Sequence, residues 1–251
     1  MIFLYDKHPM KREYHKWFSP VLQRDMELLI FGHAGRAVLF FPTRTARFYD
    51  YENWGIIDAM RPQVDNGEIQ LYCVDSIDAE SFYNSAIDPF TRIQRHLQYE
   101  KYMLNEVIPL MRLKNNSGYL ETAGCSMGAY HAINFAMKYP WIFRKAVGIS
   151  GRYDLTQTPG DFKDLLDGFN DESVYFNMPS QYMPNLTDTD LLAALRNLEI
   201  IIAIGETDPF MTGNKEFSEL LWDRGIPNQF YIWGSNAHRP KYWRKMTPLY
   251  I

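Results

Sequence analysis

Residues 119–140 read YLETAGCSMGAYHAINFAMKYP, and this stretch decides the fold. Tyr119–Gly124 is a largely apolar run of strand length. Met127–Tyr139 is a longer amphipathic run stopped by Pro140, which has no amide hydrogen with which to continue a helix. Between them lies Gly124-Cys125-Ser126-Met127-Gly128, a G-x-S-x-G pattern. A serine on a strained strand-to-helix turn exposes its hydroxyl, and side chains at 124 or 128 would collide with neighbouring backbone. The helix that follows aims its first amides at the serine, where developing negative charge is stabilised. The pattern is short and also fits a plain glycine-rich turn; the strand before it and the helix after it favour the nucleophile elbow.

Outward from the elbow, strand and helix signals alternate. Upstream, Glu13–Ser19 alternates with aromatics. Asp25–Gly32 and Arg36–Phe41, separated by His33-Ala34-Gly35, read as an antiparallel hairpin that ends at Pro42. Asn53–Met60 has Trp54, Ile57 and Met60 on one helical face. Glu68–Asp75 is a continuous apolar run. Pro89–Arg112 is a long helix ended by Asn115-Asn116-Ser117-Gly118. Downstream, Lys145–Ser150, Glu199–Gly205 and Gln229–Trp233 read as strands, and Lys215–Arg224 and Lys241–Leu249 as helices. Residues 152–197, rich in proline, glycine and aromatics, interrupt this rhythm. Strands alternating with helices require a largely parallel sheet with helices on both faces. The expectation is an α/β-hydrolase fold with a mostly parallel central sheet and an antiparallel N-terminal hairpin. One domain, residues 1–251, carries an insertion at about 152–197 over the active-site face.

Composition agrees with this class. The chain has 251 residues, 46% hydrophobic and 22% charged, with a net charge of −4. One α/β domain commonly takes that length and buries roughly three quarters of its unfolded surface. The longest basic stretch, Lys7 to Lys16, is broken by Pro9, Glu13 and aromatics and reads as a solvated edge, so nucleic acid is not an expected partner. No run approaches the ~18 apolar residues of a membrane span. MIFLYDKHPM is too short an apolar run for a signal peptide. The only cysteines, Cys73 and Cys125, lie in apolar segments and fit a reducing compartment, so a cytoplasmic location is expected. Repeats, low-complexity linkers and a nucleotide-binding glycine loop are not seen. The histidines lack metal-ligand spacing, so neither metal nor cofactor is expected. Oligomeric state leaves no signal in the sequence.

A serine needs a base, and the base an orienting carboxylate; in this fold the chain order is serine, acid, histidine. His238, in the loop after the last strand, is the base candidate. His131 belongs to the helix that Ser126 starts and should point elsewhere, and His8, His15, His33 and His96 precede the serine. The acid should follow a late strand. Asp208, in Gly205-Glu206-Thr207-Asp208-Pro209, is the leading candidate, with Glu206 and Asp154 as alternatives. Asp208 also fits a plain helix N-cap ahead of Pro209. The oxyanion hole needs two backbone amides: Met127, and Thr43 or Arg44 in the loop after Arg36–Phe41, Pro42 having no amide hydrogen to donate.

With these residues in view, the chain resembles the putative-esterase family of the α/β-hydrolase superfamily, which holds S-formylglutathione hydrolases, feruloyl esterases and mycolyltransferases. The resemblance spans nearly the whole chain. It is most specific in GCSMGAYHAINFAMKYP around Ser126, IGETDPF around Asp208 and WGSNAHRPKYWRKMTP around His238. RDMELLIFGHAGRAVLFFPT also resembles a bacterial esterase branch. The resemblance implies acyl transfer through a serine ester, with Ser126 as nucleophile, Asp208 as acid and His238 as base. Related sequences often carry an acidic residue and Trp directly after the histidine; Arg239 and Pro240 stand here, and Arg239 is a candidate for shaping the entrance or binding an anionic group. Cys125, Phe176 and Tyr182 are further candidates for substrate contact. The aromatics of the insertion, Phe162, Phe169 and Tyr175 among them, either line an acyl pocket or pack the insertion onto the sheet. The expected partner is a small ester. A thioesterase or acyltransferase would use the same triad, and a catalytically silent binding protein would share the fold.

Overall fold

The computed structural model describes residues 10–251. The readings of MIFLYDKHPM as too short an apolar run for a signal peptide, of His8, and of the first residues of the basic stretch lie, Met10 apart, outside the described residues. Eight strands form one sheet: β1 (Arg12–Ser19), β2 (Arg24–Phe31), β3 (Arg36–Phe41), β4 (Ile69–Val74), β5 (Leu120–Cys125), β6 (Lys145–Ile149), β7 (Glu199–Gly205) and β8 (Gln229–Trp233). Their order is β1-β2-β4-β3-β5-β6-β7-β8. β1, β2 and β4 pair antiparallel, and every pair from β4 onward is parallel.

The antiparallel hairpin is therefore β1 with β2, and the expected pairing of β2 with β3 is corrected. β4 lies between them, pairing Leu29 with Cys73 on one side and Val38 with Leu71 on the other. Every residue of β4 is buried. A largely apolar run is favoured in a sheet interior, covered on both faces, over a place at the rim. His33-Ala34-Gly35 accordingly steps across one intervening strand, with φ of 96° at Gly32 and 89° at Gly35. A Cβ at Gly35 would stand 2.2 Å from the Glu68 carbonyl.

Strand alternation sorts the core into two layers. Leu28, Ile30, Leu39, Phe41, Tyr72, Val74, Ile200 and Ile202 face one side. Leu29, Phe31, Val38, Phe40, Leu71, Cys73, Ile201 and Ala203 face the other. The first layer is covered by Pro89–Lys114, Met127–Lys138 and Met211–Asp223. The second is covered by short helical turns between Asp50 and Asp65 and by the terminal helix Pro240–Tyr250. Each large apolar side chain so buried contributes about 1.5–3 kcal/mol.

Two helix readings change. Asn53–Met60 is not one helix: Gly55, at φ 67°, separates Asp50–Asn53 from Ile56–Ala59. The long helix runs on to Lys114 through a π turn at Met103–Val107 just ahead of Pro109. A proline in mid-helix clashes with the carbonyl four residues back, and a wider turn accommodates it. Residues 152–197 contain no strand. They form short helices, the longest being Thr189–Leu195, capped by the Asp188 carboxylate. Leu155, Leu166, Val174 and Met178 pack on Phe82, Ile93, Met127 and Tyr130.

Candidate active site

β5 ends at Cys125, and Ser126 turns the chain into the helix Met127–Lys138 with φ 56° and ψ −120°. This backbone is costly for a residue with a side chain and persists because its surroundings fix it. The Ser126 amide donates to the Ile149 carbonyl at 2.8 Å. A Cβ at Gly124 would lie 2.2 Å from the Gly128 carbonyl, and one at Gly128 would lie 2.3 Å from the Phe41 carbonyl oxygen. The two glycines let strand, helix and the end of β3 touch backbone to backbone. The buried Tyr51 hydroxyl closes the same junction, donating to the Phe41 carbonyl at 2.7 Å and accepting from the Cys125 amide at 3.0 Å.

His238 arrives from the loop after β8. Ser235 and Ala237 hold φ of 69° and 54°, and the Asn236 side chain accepts from the His238 amide at 3.1 Å. The loop lies directly on Gly205, where a Cβ would stand 2.0 Å from the Asn236 carbonyl oxygen. His238 Nε2 is 3.0 Å from Ser126 Oγ, and His238 Nδ1 is 2.8 Å from Asp208 Oδ2. Asp208 is buried; its other oxygen accepts from the Phe210 amide at 3.0 Å. The imidazole lies between Phe210 and Trp243, with ring centroids 5.7 and 5.5 Å away. Trp243 is itself held by its indole N–H, which donates to Ser150 Oγ at 3.3 Å.

The alternative acids are occupied elsewhere. Glu206 accepts from the Ser235 amide at 2.9 Å and so supports the histidine loop without touching the ring. Asp154 accepts from the Thr156 amide at 2.9 Å and from Gln181. His131 lies in the core with Asp78, 2.9 Å from its carboxylate.

Thr43, Arg44 and Met127 line a cavity of about 390 Å³ together with Ser126 and His238. Met127 opens its helix, so its amide has no acceptor within that helix. The remaining walls are Trp54, Tyr83, Arg152, Leu155, Phe162, Phe210, Pro240 and Trp243. Of the aromatics in the 152–197 segment, Phe162 reaches this cavity.

Four expected substrate contacts lie elsewhere. Cys125 is wholly buried, its thiol pushed up by burial, because an inward position on β5 faces the core layer. Tyr182 is packed in the other core layer. Phe176 is half exposed against Tyr175, 5.0 Å between ring centroids. Arg239 is exposed at the start of the terminal helix, and its neighbours Pro240 and His238, not Arg239, line the cavity. Tyr83 and Arg152 carried no motif that marked them. Phe210 and Trp243 lie inside stretches that do carry the resemblance, IGETDPF and HRPKYWRKMTP.

A sheet of this order, with a serine elbow after β5 and a histidine loop after β8, defines an α/β-hydrolase. Residues 50–246 match the model of the family described as "Putative esterase", and the chain belongs to it; it is a carboxylic ester hydrolase. Among curated proteins none matches. Among solved structures, a ferulic acid esterase is 19% identical at a TM-score of 0.76, over 96% of each chain. An S-formylglutathione hydrolase from Staphylococcus aureus is 17% identical at a TM-score of 0.69, over 96% of this chain and 97% of that one. A fluorophosphonate-binding serine hydrolase from the same organism is 16% identical at 0.71, over 96% and 97%. No helix among the described residues is long and apolar enough to cross a membrane.

Proposed function

We propose that the protein hydrolyses a small carboxylic ester through an acyl-enzyme on Ser126, with His238 as base and Asp208 as its orienting acid. The observation that carries the reading is the unbroken line of contacts from Ser126 Oγ to His238 Nε2, at 3.0 Å, and from Nδ1 to the buried Asp208 carboxylate, at 2.8 Å. Nucleophile, base and orienting group each stand at hydrogen-bond distance.

In the first step Ser126 Oγ attacks the ester carbonyl carbon and His238 Nε2 takes the hydroxyl proton. Asp208 accepts from Nδ1–H, fixing the tautomer and stabilising the imidazolium. The oxyanion is held by the Met127 amide and by that of Thr43 or Arg44. The carbon–oxygen bond to the alcohol breaks, and His238 returns its proton to the departing oxygen. Water then attacks the acyl-serine, giving up its proton to His238, and the acid leaves as Ser126 Oγ is reprotonated. A cavity of about 390 Å³ suits a small ester. The named activities of the structural neighbours, on ferulic acid esters and S-formylglutathione, support an ester or thioester carbonyl as the reacting group. The two buried free thiols, Cys73 and Cys125, support a reducing, cytoplasmic setting.

The test is intact mass after brief exposure to a fluorophosphonate, on the wild type and on Ser126→Ala, with ester turnover in parallel. One adduct is expected on the wild type and none on Ser126→Ala, which should fold normally and lose about 10⁴-fold or more in kcat. A folded wild type that takes up no fluorophosphonate would move the protein to the silent binding class.

A further inference from the structure

Arg152 follows β6 and is one of the cavity walls, yet it is only 7% exposed. Its Nη2 donates to the carbonyls of Leu155 at 2.9 Å and Lys163 at 2.8 Å, and to that of Gln157. These three carbonyls fix the guanidinium in place and bring it no negative charge. Its Nε is buried without an acceptor, and Nη1 makes no hydrogen bond among the described residues.

The acids whose charge reaches Arg152 are committed to other donors. Asp154 holds Thr156 and Gln181, and Asp164 accepts from the Leu166 and Gly168 amides at 2.7 Å each. Arg92 makes the contrast within the same chain: it is 6% exposed, and its Nη1 is 2.7 Å from the Asp167 carboxylate. A buried charge without a partner costs several kcal/mol and calls for an explanation. A guanidinium does not escape by losing its proton.

Across the same cavity, Arg44 stacks its guanidinium 5.5 Å from the centroid of the Tyr83 ring. It too has no carboxylate within ion-pair distance among the described residues. Burial pushes the Tyr83 hydroxyl up to about 12, so it stands between the two arginines as a neutral group. The reacting serine thus faces a cavity with two cations and no paired anion.

We infer that the esters this site takes carry a carboxylate, which Arg152 binds with Arg44 as a second, exposed attraction. The inference rests on the reading of Ser126, His238 and Asp208 as the reacting centre, because it uses the same cavity. With Nη2 committed to the three carbonyls and Nε buried, Nη1 is the nitrogen left to donate a charge-assisted hydrogen bond to a carboxylate oxygen, and one buried guanidinium balances one negative charge. The expectation that Arg239 binds an anionic group passes to Arg152 and Arg44, which line the cavity as Arg239 does not.

The experiment uses two matched pairs of esters. Monomethyl adipate against methyl hexanoate places the carboxylate on the acyl side; 4-acetoxybenzoate against 4-acetoxytoluene places it on the alcohol side. The wild type should favour the charged member of one pair by about tenfold or more in kcat/KM, mainly through KM, with a preference that weakens as salt rises. The pair that shows it tells which side of the ester meets Arg152. Arg152→Met should bring that ratio near one, Arg152→Lys should keep part of it, and Arg44→Met should lower it by a smaller factor. Circular dichroism checks folding, and if Arg152→Met does not fold, Arg152→Lys and the wild-type ratios still decide. Equal or faster turnover of the neutral member in both pairs overturns the inference and leaves the esterase reading standing. Failure on all four esters by a chain that still labels at Ser126 overturns it as well. A chain that does not label fails at the earlier reading.

Discussion

At the amino-terminal ends of β3, β4, β5 and β8 the chain turns with positive φ on glycine: Gly35, Gly67, Gly118 and Gly225. At the carboxyl ends of β3, β5, β6 and β8 it makes the same kind of turn on Thr45, Ser126, Ser150, Ser235 and Ala237. Glycine enters this region freely, whereas a residue with a Cβ pays about 1–2 kcal/mol. One end of the sheet is therefore turned cheaply, and the other holds strain at these five positions and at Gln23, φ 55°, in the turn from β1 to β2. Those five include Ser126, flank His238, and supply the hydroxyl that holds Trp243. Strain gathers where a side chain must be aimed, the pattern expected of a pre-organised site.

The largest effect expected from testing this contrast is at a carboxyl-end glycine that the site cannot lose. Gly205 ends β7 beneath the histidine loop, and an added Cβ would stand 2.0 Å from the Asn236 carbonyl oxygen, which is backbone and cannot swing aside. Gly205→Ala should push the loop outward, lengthen the His238 contacts, lower kcat by about 100-fold or more and destabilise the fold by about 3 kcal/mol. Ester turnover and chemical denaturation read both. Wild-type turnover in this variant would mean that the loop is not seated on β7 in the working enzyme.

A middle-sized effect is expected at Ala237, beside the histidine. Ala237→Gly removes the cost of its φ of 54° but also a buried methyl, worth about 0.8 kcal/mol, and it frees the unfolded backbone. These terms oppose one another, so stability should change by less than about 1 kcal/mol. Turnover should still fall about three- to tenfold, in kcat and not in KM, because the loop no longer holds the imidazole to one direction. An unchanged kcat would show that the strain at 237 is incidental.

The same contrast explains what could be read from the sequence. The elbow, Asp208 and His238 were legible because each sits in a short stretch whose turn residues and flanking strands are local. Gly205 and Gly128 could be named there, but not the carbonyls they press against. The place of β4 between β2 and β3 was not legible, because it depends on which apolar strand gains most from burial on both faces, a comparison across the chain. Asp188 with the apolar run after it marked the helix Thr189–Leu195 in plain view, although residues 152–197 read only as an insertion. The cavity walls were the least legible. Trp54, Tyr83 and Arg152 come from three separate connections, and only the sheet order brings them to one serine. Phe176 and Tyr182 carried aromatic character without that position.

The smallest effect should come from the amino-terminal end. Gly118 precedes β5 at φ 71°, and an added Cβ would meet no heavy atom within 4 Å. Gly118→Ala therefore isolates the backbone terms: the new methyl touches nothing, so whatever stability is lost is the cost of holding an alanine at positive φ, net of the entropy its stiffer unfolded backbone no longer loses. That cost should be about 1 kcal/mol, a fall of about 2–4 °C in Tm for a chain of this size. Turnover should stay within twofold of wild type, because β5 delivers Ser126 from its other end and its register with β3 and β6 is held by the ladder. The two readouts separate two ways for the contrast to break. A Tm that does not move would mean that positive φ is cheap for alanine in this chain, and the strain assigned to Ala237 would lose its scale. A large fall in turnover with an ordinary fall in Tm would mean that the turn into β5 is coupled to the turn out of it, so that the glycine end of the sheet also takes part in placing the serine.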